Sequence, residues 1–469
     1  MKAIEEYVRA LGLDAYVVGG AVRDELLGID AKDADFLVPG VDIAGLRAAL
    51  APHGRTEELT VAGRAVGVRH YPRERKLRAA VPAGIELAPP RREASTGPGR
   101  HDFEIVVDPD APVEEDLRRR DFTVNAMARR LAGGTLVDPY GGRRDLAARV
   151  LRTVTLASFA EDPLRLVRGL RFVSQLDLDP DRQTLAQMRA EARSIRLVSG
   201  ERIGGGIAAD GLGELSKLLL GAHPAKALRI ARDTGVLAEL LPELAPSIGF
   251  DQQSRYHDMT VDEHTFAVVQ AAADAGAPLR VRLAALFHDA GKPAVAWLGT
   301  DDRLHYYAKR GYSTRSHEQV SAELAAAALT RLRYPTELRK GVVRIVRGHM
   351  LDPGKGDALR ARTLLARHGA GLTFDLLDHK RADLSGKGDP PPEADLERLA
   401  RFRQVVERER SSPHRLRDLA VTGDDLVALG YRPGPAIGKA LRALLDDVVH
   451  DPACNTREQL LVRARELRP

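Results

Sequence analysis

Tyr16–Val38, YVVGGAVRDELLGIDAKDADFLV, is the stretch from which the reading of the chain follows. An apolar β-type run enters Gly19-Gly20, a short helical pattern stops at Gly28, and a second β-type run holds Asp33-Ala34-Asp35. Side chains alternate across a strand, so Asp33 and Asp35 are expected on one face while Phe36 and Val38 bury the other. Two carboxylates side by side repel unless a cation neutralises them, and a hard, oxygen-seeking ion such as Mg²⁺ suits the pair. Gly19 and Gly20 let backbone approach a phosphate, and the helix N-terminus that follows adds positive potential. Arg23, on the first turn of that helix, can hold a triphosphate oxygen. Two metals want a third carboxylate, for which Glu86 in the apolar run GIELA is the candidate. An isolated Asp-x-Asp more often marks a solvated strand edge. The Gly-Gly turn, the intervening helix and the apolar flanks together favour the metal site.

Around this stretch the chain alternates strand and helix patterns through its first third: AVGVRHY, GIELA and FEIVVD read as further strands. Pro89–Arg100, PPRREASTGPGR, reads as a polar, basic loop. From about Phe159 only helical patterns remain, so an α/β head is followed by a long all-helical body. A length of 469 residues exceeds one compact core. The 44% hydrophobic and 29% charged content fits a soluble globular protein. Cys454 is the only cysteine, which excludes an intrachain disulfide and suits a reducing compartment. The amphipathic start MKAIEEYVRA is unlike a signal peptide, and no apolar run spans a bilayer, so a cytoplasmic protein with no membrane contact is expected. The net charge of +5 permits a polyanionic partner without demanding one. With aromatics at 4%, charge and hydrogen bonding rather than stacking would have to recognise it.

Five blocks in order, GGAVRDELLG…KDADF, IELAPPRRE, DLRRRDFTVNAMA, DPYGGRRDL and EDPLRLVRGLRF, resemble the tRNA nucleotidyltransferase and poly(A) polymerase family, of the bacterial type that carries an HD domain. The resemblance covers nearly the whole chain and thins in the tail. It implies a polymerase-β-like α/β head with a mixed sheet, then an all-α neck, body, HD domain and helical tail. The expected division is a nucleotidyltransferase head at 1–155, a nucleotide-selecting and RNA-binding neck at 156–250, an HD metal-binding domain at 251–385, and a tail at 386–469 with RNA contact. By resemblance, Asp33 and Asp35 bind metal, with Glu86 the third acid. Arg120, Asp121 and Asn125 handle ribose and phosphate, and Asp162 with Arg165 selects the base. Asp162 and Arg165, three apart, are expected on one helix face, where an acceptor beside donors can match the edge of cytosine or adenine. Arg168 and Arg171 continue that face toward triphosphate or RNA. One departure from the family is ERIGGGIAADGLGELSKLLL, whose glycines should break a helix the family keeps continuous, so that Glu201 and Arg202 are less readily placed.

In the helical body, His264, His288, Asp289, His317 and His349, with Asp383 as a sixth, follow the order of an HD metal centre. Imidazole and carboxylate donors suit a first-row divalent ion or a pair of them. Lys292, after the Gly291 break, would face a phosphate there. The tail stretch LVALGYRPGPAIGKALRALL reads equally as a nucleic-acid-binding hairpin or as an ordinary helix connection. The activity implied is template-independent addition of C and A to a tRNA 3′ end from CTP and ATP, releasing pyrophosphate, with an accessory phosphohydrolase at the HD centre. The alternatives are poly(A), CC-only or A-only addition and, from another class, an HD phosphohydrolase with an inactive head.

Overall fold

A computed structural model describes residues 1–30, 35–61, 63–95, 103–205, 211–253, 259–388 and 390–468, and Asp33 lies outside them. The chain forms two compact units, Met1–Ala245 with Leu329–Tyr334, and Pro246–Ala328 with Pro335–Pro469.

The first unit opens with nine strands: β1 Tyr16–Val18, β2 Asp35–Leu37, β3 Gly54–Val61, β4 Arg64–Pro72, β5 Ile85–Ala88, β6 Arg91–Ser95, β7 Phe103–Val107, β8 Ala128–Arg130 and β9 Leu136–Val137. Seven of them make one mixed sheet in the order β3-β4-β5-β2-β1-β8-β9. β2 and β5 run parallel and the other neighbours antiparallel. Alternation along β1 and β2 divides the packing. Val17 and Phe36 join a core with Ile4, Val8, Leu46 and Leu50 from the helices Lys2–Ala10 and Ile43–Leu50, whereas Val18 and Leu37 pack with Val113 and Leu117 on the other face. The expected helix after Gly19 is Gly20–Leu26, and Gly28 beyond it has φ 70°. The expected loop at Pro89–Arg100 is corrected: Arg91–Ser95 is a strand, paired antiparallel with Phe103–Val107. A short, highly charged strand carries no alternation to betray it.

A helical region follows the sheet within the same unit, with Leu164–Leu176 as its longest element. Phe122, from the end of the head, is fully buried, 5.8 Å edge-on from Phe172 and 6.2 Å from Phe159 between ring centroids. Gly169 makes room for it, since a Cβ there would stand 2.9 Å from the Phe122 ring. The helix after Ser199 breaks as expected: Glu201–Gly205 is a single π turn, and helix resumes at Glu214–Leu219. The glycines also have a packing reason. A Cβ on Gly204 would meet the Tyr334 ring at 2.4 Å, and one on Gly205 the Arg333 carbonyl at 2.0 Å.

The second unit is built on the helices Val261–Asp274, Leu279–Phe287, Thr336–Gly348 and Ala358–Ser385, the last kinked at Gly369 (φ 74°), and on the helix His317–Arg331 as far as Ala328. Glu393–Glu409, Gly423–Ala428, Pro435–His450 and Arg457–Glu466 complete it. Thr422 and Asp425 form a capping box at the start of Gly423–Ala428, and Gly430 (φ 91°) lies in the turn before Pro435–His450. Among the described residues no helix is long and apolar enough to cross a membrane.

Removing the Phe122 ring would open a cavity where the sheet meets its first long helix. Phe122→Ala is expected to cost about 3–5 kcal/mol in denaturant unfolding; a loss below about 1 kcal/mol would contradict this packing.

Candidate functional site

In the first unit the site residues collect at the end of β1. Phe36 faces Val17, so the register continued by one residue puts Asp35 opposite Val18, next to the Gly19 turn. Asp35 is exposed and is the register partner of Glu86 on parallel β5. Neighbouring strands lie about 4.8 Å apart, so these two acids stand side by side across the sheet. Glu86 is also ion-paired with Arg69 of β4. The half of the expected pair that depends on Asp33 falls outside the described residues.

Gly19 has φ 68°, and a Cβ on it would stand 2.4 Å from Nη1 of Arg120, so glycine is what lets this guanidinium lie against the turn. Arg120 reaches Asp116 only at 3.5 Å, and its buried Nε has no hydrogen-bond partner. Such a cation, within the field of Asp35, is under-satisfied by its own protein. Arg23 is the fourth residue of its helix and donates from Nη1 to Oδ1 of Asn125 at 2.6 Å.

Asn125 passes its own Nδ2 hydrogen to Asp121 Oδ1 at 3.0 Å, and the Phe122 amide donates to the same oxygen at 2.9 Å. The other oxygen accepts from Arg168, Nε at 2.9 Å and Nη2 at 2.8 Å. Burial opposes ionisation of Asp121, but Arg168 and Asn125 outweigh it and hold the carboxyl at about 2 against an ordinary 3.8. Arg168 and Arg171 also share Glu214, at 3.6 and 2.9 Å.

The expected helix face for Asp162 and Arg165 is corrected. Asp162 is extended (φ −140°, ψ 100°) because Pro163 follows it, and the helix begins at Leu164. The Asp162 carboxylate takes Arg202 at 3.2 Å. Arg165 is buried and donates to the carbonyl of Arg119 at 2.7 Å, to Ser158 at 3.1 Å and to Glu161 at 3.1 Å. The two residues expected to select the base are thus neighbours with separate partners. Sequence reasoning named Arg202 without giving it this role.

The second unit brings together all six expected ligands, every one buried. They fall into two triads, His264 with His288 and Asp383, and Asp289 with His317 and His349; one donor atom from each residue lies within 4.8 Å of the others in its triad. The four histidines share one arrangement. Each Nδ1 lies on a backbone carbonyl: His264 on Gly386 at 3.0 Å, His288 on Ala285 at 2.8 Å, His317 on Tyr306 at 3.3 Å and His349 on Val346 at 2.7 Å. A carbonyl can only accept, so Nδ1 carries the hydrogen and Nε2 keeps the lone pair. The Nε2 atoms converge, His264 to His288 at 3.3 Å and His317 to His349 at 3.1 Å. Lone pairs turned on each other at that distance repel, and a divalent cation between them removes the conflict.

Lys292, expected to face a phosphate at this centre, is buried, its Nζ bonding Asp289 at 2.7 Å and Gln252 at 2.6 Å. Sequence reasoning missed His379, which is fully buried against His288 and His349. Burial, then His288, lowers its pKa to about 3, so the ring is neutral. Its spacing of four residues from Asp383 on a helix was the available signal.

A family model described as "Poly A polymerase head domain" matches residues 15–152, and one described as "HD domain" matches 261–387. The multifunctional CCA protein of Azoarcus sp. is 38% identical over 360 residues, covering 75% of this chain and 76% of that protein. That of Nitrosococcus oceani is 33% identical over 451 residues, covering 92% and 96%. The solved CCA-adding enzyme of Bacillus stearothermophilus in complex with CTP shares the fold at a TM-score of 0.68 and 24% identity, over 99% of this chain and 95% of that one. The Thermotoga maritima CCA-adding enzyme complexed with tRNA shares it at 0.60 and 20%, over 97% and 92%.

The Asp121–Arg168 pair has a pH signature. Asp121 is depressed in the folded state, so its contribution is complete above the unfolded value of 3.8 and is lost as pH falls through about 2. Asp121→Asn is expected to cost about 2–3 kcal/mol near neutrality and roughly half that near pH 3 in urea unfolding. A gap that stays the same at both pH values would contradict the assignment.

Proposed function

The chain belongs to the family of the multifunctional CCA proteins, and from that premise we propose that its head adds C and A to the 3′ end of tRNA from CTP and ATP. The observation that carries this reading is the under-satisfied guanidinium of Arg120 against the Gly19 turn, beside the acids Asp35 and Glu86. The head is a polymerase-β-like nucleotidyltransferase domain, and its all-oxygen donor set at Asp35 and Glu86 fits a hard cation.

Asp33 and Asp35 would hold magnesium, with Glu86 as the third acidic position. When bound, magnesium neutralises the carboxylates, favours deprotonation of the attacking hydroxyl and stabilises the leaving group. The 3′-hydroxyl oxygen of the RNA forms a bond to the α-phosphorus, the bond to the β-phosphate oxygen breaks, and pyrophosphate departs as the hydroxyl proton is lost. Arg120 supplies charge to the triphosphate, with Arg23 beside it and the backbone of Gly19 and Gly20 close by. Asn125 meets the ribose, and Asp121, whose carboxylate is taken up by Phe122, Asn125 and Arg168, holds Asn125 in place. Asp162 and Arg165 read the base edge, which must replace Arg202 on Asp162 to do so. Arg168 and Arg171, held by Asp121 and Glu214, position that wall. The turn before Pro435–His450 contacts the RNA backbone through its amides.

For the second unit we propose a metal-dependent phosphohydrolase, its two triads each holding a first-row divalent ion. The converging Nε2 atoms are what support it.

Asp35 is exposed, and its loss is expected to leave the fold intact. Asp35→Ala is expected to lower incorporation of CTP and ATP into tRNA lacking its terminal nucleotides by about 10³-fold or more at unchanged melting temperature. Incorporation at the wild-type rate would overturn the assignment. At the second site, protein purified without a histidine tag is expected to carry a first-row metal by elemental analysis. His288→Ala should lose at least half of it, and metal content equal in both proteins would refute the site.

A further inference from the structure

His379 does not behave like the other histidines around it. The four ligand histidines each commit Nδ1 to a backbone carbonyl and turn Nε2 inward. His379 has no hydrogen-bond partner on either ring nitrogen, although its side chain is fully buried. An unsatisfied buried polar group of this kind is destabilising, a cost that a leucine at the same place would not incur. What the ring does touch is the centre. Its centroid lies 5.2 Å from that of His288 and 5.8 Å from that of His349. The pairs that share a triad are spaced alike, His264 and His288 at 5.3 Å, His317 and His349 at 5.0 Å. His288 and His349, from different triads, are also 5.3 Å apart, so this spacing places His379 within the ring-packed cluster of the centre, with His288 its nearer neighbour.

The helix adds a second argument. Residues four apart lie on one face, so the helix that delivers Asp383 to its triad delivers His379 beside it. Asp383 is bonded by Lys380 at 2.9 Å and contacts His264 at 3.3 Å, which fixes this face toward the triad.

We propose that His379 is a seventh protein donor of the centre, its lone pair directed at the divalent cation that His264, His288 and Asp383 would hold. This deepens the metal-centre reading and rests on it. A nitrogen-rich site of three imidazoles and one carboxylate selects a first-row ion over magnesium or calcium.

The test uses the full-length, tag-free protein stripped of metal and titrated with Co²⁺, whose visible absorption reports the donors around it. His379→Gln keeps a polar side chain of similar reach but is a poor ligand, and His379→Leu fills the space without donors. Wild type is expected to take up Co²⁺ in two events. In both variants one event should weaken by about 10- to 100-fold and lose absorption intensity, while the other stays unchanged. If either folded variant keeps both affinities and the wild-type spectrum, His379 is a packing residue and the proposal fails. Absence of Co²⁺ uptake by the wild type would instead remove the metal-centre reading, and this one with it.

Discussion

One buried carboxylate, Asp121, holds the first unit together at the point where it must be most rigid. It accepts from the amide of Phe122, from Asn125 and from Arg168, so it ties the end of the sheet to the long helix that follows. Each partner carries a second duty. Asn125 receives Arg23 from the helix after the Gly19 turn, Phe122 fills the joint between Phe159 and Phe172, and Arg168 shares Glu214 with Arg171. A chain of charge-assisted bonds thus runs from the glycine turn to the helix Leu164–Leu176. Arg120 and Arg171 each keep a buried Nε without a hydrogen-bond partner, and this spare capacity is what an anionic substrate would use.

The second unit applies the same logic to the proposed metal ligands. Backbone carbonyls take Nδ1 of four histidines, which settles the tautomer and leaves four Nε2 atoms aimed inward. Burial opposes ionisation of Asp289 and Asp383, yet both are held well below the usual carboxylate range, with the ammonium of Lys292 beside Asp289 and that of Lys380 beside Asp383. Converging lone pairs among ionised acids make a site organised for cations before any arrive.

Much of this was legible in the sequence, because the informative features are local. The turn at Gly19, the helix stop at Gly28 and the placing of Asp35 on a strand need only short-range periodicity, whereas the six HD ligands were read from an order along the chain that resembles the family's. What escaped depends on partners distant in sequence. Arg69 reaches Glu86 only because β4 pairs with β5, and Gly204 and Gly205 are required by Tyr334 and Arg333, well over a hundred residues away. The strand Gly54–Val61 is exposed along most of its length and offers no apolar run to read. Asp162 is a different failure: Pro163 was in plain sight and forbids the helix that the spacing suggested. His379 was passed over because one histidine four residues before an aspartate looks ordinary until both of its nitrogens prove unpartnered.

The central claim is that the head selects nucleotides through its own side chains and stops after a defined addition. The most direct measurement is to incubate the wild-type protein with a tRNA ending before its last three nucleotides, all four nucleoside triphosphates and Mg²⁺, and to sequence the product ends. Products ending in C, C and A, with no further growth, are what this account predicts. Open-ended adenylate tails, indiscriminate incorporation of all four bases, or no extension at all would contradict it.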